Sequence, residues 1–440
     1  MSNRTNKPKR HGSLESQIEL EKNPFKRFLM LLGPGLITGA SDDDPSGIGT
    51  YTQAGASLGL ATLWTAIVTL PMMAAIQFIC AKIGMVSGMG LAGVLRKYYP
   101  RWLVISAIAL LIVANTINAG TDIGAIAAAV NLLAPQLSAL TLVVPVALVI
   151  VVVQILGSYA LIVKIFKWLT LTLFAYIAAA FLAKPHWGDV LKATFIPAVR
   201  FDHRYLMMLV AIFGTTITPY LFFWQASQEV EEELHMGRQT LAEREGATDR
   251  ELRIAEIDVD AGMIFASVVF YFVVLASAVT LHAEGKTNIQ TATDAAEALR
   301  PLSHGAATIL FAVGLTGSGF LAVPILTGSS AYALCEAFDW KYGLNEKFRD
   351  ARRFYLIIAA ATLIGLLINF LRIPPVTALF WTAVINGVLA PPLIVIIMLI
   401  SNSKQVMGRR TNGPLTNFLG WATAVIMTAA AIGMFVTWGK

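Results

Sequence analysis

The chain has 440 residues, of which 56% are hydrophobic and 14% charged, and a net charge of +6. That balance is too apolar and too sparsely charged for a soluble domain, and no basic segment interleaved with exposed aromatics points to nucleic acid. Cys80 and Cys335 both lie in apolar runs, which excludes a disulfide framework or a cysteine metal site.

Residues 1–27 are polar and carry Arg4, Lys7, Lys9, Arg10, Lys22, Lys26 and Arg27, so they read as a basic cytoplasmic tail without the apolar core of a cleavable signal. Apolar segments then recur, approaching the roughly 20 residues that cross a hydrocarbon core as a helix. The expected spans are 28–58, 60–84, 102–131, 139–157, 159–183, 205–230, 261–283, 305–338, 354–371, 375–400 and 417–438. Runs such as Val143–Val153 lack the alternation of barrel strands, so the fold class is an all-α polytopic membrane protein of about eleven helices. Lys164 and Lys167 are placed to snorkel at the start of the fifth span. The charged stretch Gln228–Asp260 reads as a solvated extension of the sixth. Loops 184–204 and 284–304 contain or border His186, His203, His282 and His304 without metal-ligand spacing. Most Lys and Arg fall on the side of the N-terminus, which predicts a cytoplasmic N-terminus in the plasma membrane.

Two spans are interrupted. From Gly33 to Gly59 the first reads GPGLITGASDDDPSGIGTYTQAGASLG, with Asp42, Asp43 and Asp44 followed by Pro45, Ser46 and Gly47 in mid-membrane. Proline removes an amide donor, glycine lowers helix propensity, and each ionisable group in hydrocarbon costs at least about 2.5 kcal/mol, so these residues must line a polar cavity. The sixth span repeats the interruption over Gly214, Thr215, Thr216, Ile217, Thr218, Pro219 and Tyr220. Breaks at the first and sixth of ten spans are what an inverted repeat of five plus five produces, with the two broken helices meeting at the substrate site. The bland alternative is a pair of proline kinks that serve packing alone. Asp44 sits at the first break and is expected to contact substrate. Asp42 and Asp43 either enlarge an acidic vestibule or cap the half-helix that begins near Pro45, with capping favoured for Asp42. Asp122, in the third span, is either a proton carrier or a buried acid bonded to Thr121, Asn118 or Asn115.

At these residues the chain resembles the NRAMP family of proton-coupled divalent-metal transporters, which use a leucine-transporter-like fold. The likeness covers most of 28–400 and is strongest from Gly33 to Ile37 and on into Asp44 and Pro45, similar to the family's Asp-Pro-Gly-Asn break. Asp122 is placed like a family acid assigned to proton movement, and Thr218, Pro219 and Tyr220 lie where the family has Met-Pro-His. Ser46 and Gly47 replace the family's Gly-Asn, Ala125 stands at a family glutamate, and Asn386 is the nearest candidate for a tenth-span glutamine. The resemblance implies a tail at 1–27, a transporter core at 28–400 with repeats at about 28–183 and 205–400, and a cytoplasmic loop and eleventh helix at 401–440. It implies alternating access, with no cofactor and no catalytic residues.

A methionine thioether favours transition metals, whereas hydroxyl, carboxylate and carbonyl oxygens suit hard ions. The expected substrate shell is therefore Asp44, Ser46, Gly47, Thr215, Thr218, Tyr220 and Asn386, with Asp44, Thr215 and Thr218 on the metal, and Mg²⁺ or Mn²⁺ carried with protons. The alternative cargo is an organic acid such as citrate, bare or metal-complexed, received at half-helix amino ends. The three adjacent aspartates oppose a bare anion. An intramembrane hydrolase lacks a recognisable zinc or serine motif here, and a receptor without transport lacks an attached signalling domain.

Overall fold

Pro45 and Pro219 each stand four residues after a carbonyl that a continuous helix would pair with an amide, and each divides its span. In the computed structural model, which describes residues 33–156, 171–302, 304–344, 346–371 and 373–438, the first span is split into α1 (Pro34–Asp42) and α2 (Pro45–Leu58). The basic tail, the first residues of the first span and most of the fifth, with Lys164 and Lys167, lie outside the described residues. There follow α3 (Trp64–Ser87), α4 (Leu91–Tyr98), α5 (Arg101–Leu133), α6 (Ala139–Leu156), α7 (Ala175–Leu182) and α8 (Trp187–Phe195). The second half comprises α9 (His203–Thr216), α10 (Pro219–His235), α11 (Asp249–Thr280), α12 (His304–Phe338), α13 (Arg352–Leu366), α14 (Pro375–Asn402) and α15 (Pro414–Val436). Counting α9 and α10 as one, nine helices or helix pairs among the described residues are long and apolar enough to cross a membrane. With the divided first span and the partly described fifth, they match the spans expected from sequence.

The charged insert after the sixth span departs from expectation. α10 ends at His235, and residues 249–260 belong to α11, which a capping box starts at Thr248 and Glu251. Nor is the end of α10 solvated. Glu229 accepts from Gln225 at 2.8 Å, Glu231 from the Tyr332 hydroxyl at 2.9 Å and Glu233 from Arg238 at 3.2 Å, and all three glutamates are buried. One partner on another helix, Tyr332, and two near or on α10 itself satisfy an apparently surface charge run inside the bundle. On the same face Arg96 bonds Asp339 at 2.9 Å and holds its carboxyl below the usual carboxylate range. Solvent screens this exposed pair, which contributes about 0–1 kcal/mol.

Between apolar helices in lipid there is little hydrophobic drive to associate, so small residues that let backbones touch carry the packing. α1 crosses α11 where Gly39 meets the backbone of Gly262, and α9 crosses α14 where Gly214 meets Ala383 and Gly387. A side chain at Gly39 would overlap the Gly262 carbonyl. Gly39→Val is expected to lower stability by about 1–3 kcal/mol through overpacking, read as a lower melting temperature and less monodisperse protein in detergent. An unchanged melting temperature would show that α1 can simply move aside.

The outward faces carry Trp102, Ile105 and Val113 on α5, Leu148 and Val152 on α6, Ile364 on α13 and Val425 on α15, all exposed. Such continuous apolar surface is stable only against acyl chains. Trp381 and Trp438 lie 6.3 Å apart at the end opposite the basic loops, with Trp187 against Phe181 at 4.8 Å, consistent with an interfacial aromatic belt.

Candidate substrate site at the two helix breaks

The first break is shaped by what Pro45 cannot donate. Its missing amide leaves the Ser41 carbonyl without a helical partner, and the Tyr220 hydroxyl, from the other broken helix, donates to it at 2.9 Å. Asp44 has extended backbone geometry and caps α2, its Oδ1 accepting from the Gly47 amide at 2.6 Å. The capping role proposed for Asp42 or Asp43 therefore falls to Asp44. Asp42 is the last residue of α1 and Asp43 its C-cap, so both precede the first free amides of α2. Their carboxylate oxygens are buried and have no hydrogen-bond partner among the described residues.

The second break is its counterpart. α9 ends at Thr216, the Ile217 amide returns to the Phe213 carbonyl at 2.8 Å, and Thr218 occupies the N-cap position of α10 without making a cap bond. Its Oγ1 is buried and unpartnered. Pro219 has no amide to offer the Thr215 carbonyl, so that oxygen is free of the helical ladder. The two breaks touch at Gly47, where a Cβ would lie 3.3 Å from both Thr215 Oγ1 and the Tyr51 ring. A larger residue there would push the breaks apart.

α5 and α14 complete the walls. Asn118 Nδ2 donates to Asp44 Oδ2 at 3.1 Å, and one turn later Asp122 is fully buried with neither oxygen hydrogen-bonded among the described residues. None of the partners named for Asp122 serves it. Thr121 donates to the Asn118 carbonyl at 2.9 Å and faces Thr382 at 3.3 Å, while Asn115 reaches the Leu326 carbonyl, Ser329 and Ser330. From α14, the Leu379 carbonyl accepts from Ser46 at 3.2 Å. Asn386 is buried on α14 beside the Gly387 crossing, and no hydrogen bond among the described residues joins it to either break. Asn118, Thr382 and the Leu379 carbonyl were not expected site groups; Asn118 was legible only as lying four residues before Asp122, hence on the same helical face.

Asp42, Asp43, Asp44 and Asp122 are each at most 2% exposed, and among the described residues no Lys or Arg forms an ion pair with any of them. Buried carboxyl groups need a proton or a cation beside them. No group of three His, Cys, Asp or Glu side chains converges as a metal cage among the described residues. The arrangement therefore suits an ion held by one or two carboxylates with neutral oxygens and retained water. Hydrogen bonds tie the two ends of the broken first span to neighbouring elements. Toward the basic face, Asp258 of α11 accepts from the amides of Gly33, Gly35 and Leu36 at 2.8, 2.6 and 3.1 Å, and Thr38 donates to Gln225 at 2.6 Å. Toward the other face, Gln53 donates to the Thr287 carbonyl and accepts from the Ile289 amide, and the Ala56 carbonyl meets His282.

Residues 35–437 match the family model described as natural resistance-associated macrophage protein-like. Among curated relatives, the divalent metal cation transporter MntH of Deinococcus radiodurans is 27% identical, the alignment covering 92% of this chain and 89% of that protein. MntH of Bacillus subtilis is 24% identical, covering 97% and 96%. A manganese transporter from Eremococcus coleocola, solved with an aromatic bis-isothiourea compound, superposes with a TM-score of 0.74 at 19% identity, covering 95% of this chain and 88% of that one. Mhp1, a nucleobase-cation-symport-1 transporter, superposes at 0.58 with 18% identity, covering 92% and 89%. These structural likenesses establish the shared transporter fold.

Proposed function

Because the chain belongs to the natural resistance-associated macrophage protein-like (Nramp) family of membrane transporters, which are not enzymes, we propose that it carries a hard divalent cation, Mg²⁺ or Mn²⁺, together with protons. The observation that supports this most is Asp44, buried at the meeting of two broken helices, with unpartnered acceptors around it and no basic side chain paired to it. Asp44 supplies the charge, and the open Thr215 carbonyl and Thr218 hydroxyl complete the shell with retained water. Ser46 and Gly47 shape its floor, and Tyr220 ties the breaks together. Asp42 and Asp43 raise the local cation concentration as the site opens, and Asn386 joins the shell only after α14 moves. Asp122 is the proton carrier. The basic face is cytoplasmic, and the repeats at 28–183 and 205–400 rock about the breaks, opening the Asp258 and Gln53 closures in turn.

The curated relatives are divalent metal cation transporters by name. The Met-to-Thr218 exchange supports the harder end of that range, because a thioether holds transition metals and a hydroxyl does not discriminate for them. The acidic cluster at the first break opposes an organic anion. The test is uptake by proteoliposomes loaded with metal- and pH-sensitive dyes, given Mg²⁺, Mn²⁺, citrate or citrate with Mg²⁺. Free Mg²⁺ or Mn²⁺ should enter with acidification. A response confined to the citrate arms overturns the cation reading.

A further inference from the structure

Asn118 binds the Asp44 carboxyl group directly from α5, and its own geometry is half complete. Nδ2 donates to Asp44 Oδ2 at 3.1 Å, whereas Oδ1, on the same amide, is buried with no hydrogen-bond partner among the described residues. The amide turns its NH₂ edge to the carboxyl oxygen and leaves its carbonyl edge uncompensated.

We propose that Asn118 is a metal ligand that selects for small, hard, octahedral cations, acting by rotation of its amide. This rests on Asp44 being the cation site. A cation arriving on Asp44 Oδ2 repels the NH₂ edge and attracts the carbonyl. Half a turn about the terminal torsion exchanges the two atoms, which occupy nearly the same volume and are interchanged by the hydrogen-bonding environment alone. Oδ1 then stands where Nδ2 stood, about 3 Å from Asp44 Oδ2. Two oxygens at right angles around an ion with bonds of about 2.1 Å lie about 3.0 Å apart, the octahedral requirement of Mg²⁺ and close to that of Mn²⁺, whereas calcium bonds of about 2.3–2.6 Å need a pair opened to about 3.3–3.7 Å. The observed separation of 3.1 Å fits the smaller ions without moving either helix. In the empty site the same amide holds Asp44 in place, so one side chain serves both states; on loading the carbonyl gains the ion as partner and the NH₂ edge takes the place the carbonyl held.

Binding of Mg²⁺, Mn²⁺, Ca²⁺ and Cd²⁺ to the purified full-length protein, measured by calorimetry with melting temperatures in parallel, tests this in wild type, Asn118→Ala, Asn118→Cys and Asp44→Asn. Asn118→Ala should weaken Mg²⁺ by about tenfold or more and narrow the preference for Mg²⁺ over Ca²⁺. Asn118→Cys replaces a hard oxygen by a soft sulfur and should strengthen Cd²⁺ relative to Mg²⁺ by a similar factor. A role confined to holding Asp44 changes all four ions by one common factor, and that result, or no change at all, overturns the proposal. Both Asn118 replacements are small, and the melting temperatures show whether either has lost its fold. Failure of wild type to bind any of the ions, or wild-type binding by Asp44→Asn, overturns the cation reading of the site itself and this proposal with it. Wild-type binding lost in Asp44→Asn but unaltered in both Asn118 variants removes Asn118 alone.

Discussion

Asp44→Asn is expected to fold normally and to stop metal uptake. The two roles of Asp44 separate in this variant. Capping needs only a side-chain oxygen to accept the Gly47 amide at 2.6 Å, and asparagine is as good an N-cap as aspartate. Charge neutralisation needs the carboxylate. Asp44→Ala removes both, and should add about 1 kcal/mol of destabilisation to the same loss of transport. Removing a second-shell partner of a metal typically costs about 10–100-fold in affinity, so loss of the principal charged ligand should exceed the upper end of that range, more than about 2.7 kcal/mol. Metal-dye influx into proteoliposomes and melting temperature in detergent, measured together, check both halves. Retained uptake in Asp44→Asn at near wild-type affinity would make Asp44 a cap only, and would pass the charged role at the first break to Asp42 or Asp43.

Asp122→Asn is expected to abolish acidification while metal still binds. Asp122 is fully buried, the Ser46 amide faces it without a close hydrogen bond, and its neighbours Asn115, Asn118 and Thr121 are engaged elsewhere. A carboxyl so placed contributes no bond that the fold needs, so the amide should leave stability unchanged or raise it. What it can contribute is a proton, released as a cation arrives on Asp44 nearby. With the pH dye, the metal-dependent proton signal should fall to the level of empty liposomes, while calorimetric metal affinity changes by less than about tenfold. A proton signal that survives would assign coupling to another group. A loss of binding as large as that of Asp44→Asn would make Asp122 a metal ligand instead.

The membrane class, the spans and the two breaks were legible because each rests on a local rule. Length and apolarity decide whether a segment can cross lipid, and a proline four residues past a carbonyl removes that carbonyl's amide wherever the helix is placed. The end of the sixth span was misread for the converse reason. Glu229, Glu231 and Glu233 look like a solvated face at helical spacing, but Gln225, Tyr332 and Arg238 satisfy them inside the bundle, and Tyr332, 101 positions from Glu231, could not be inferred from the glutamates' own segment. The cap was misassigned among Asp42, Asp43 and Asp44 because the choice depends on which backbone first leaves the helix, a matter of one residue.

By itself, then, the sequence determined that this is an all-helical membrane protein whose first and sixth spans are broken by proline, with acid at the first break and hydroxyls at the second. The tertiary structure alone decided which groups share the chamber. Tyr220 reaches Ser41 across 179 positions, Ser46 reaches Leu379 across 333, and Asn118 reaches Asp44 across 74. Composition and periodicity are properties of a segment, whereas a ligand shell is a property of crossings between segments. Those crossings are set by where Gly39 meets Gly262 and Gly214 meets Gly387, contacts that leave no pattern along a single helix.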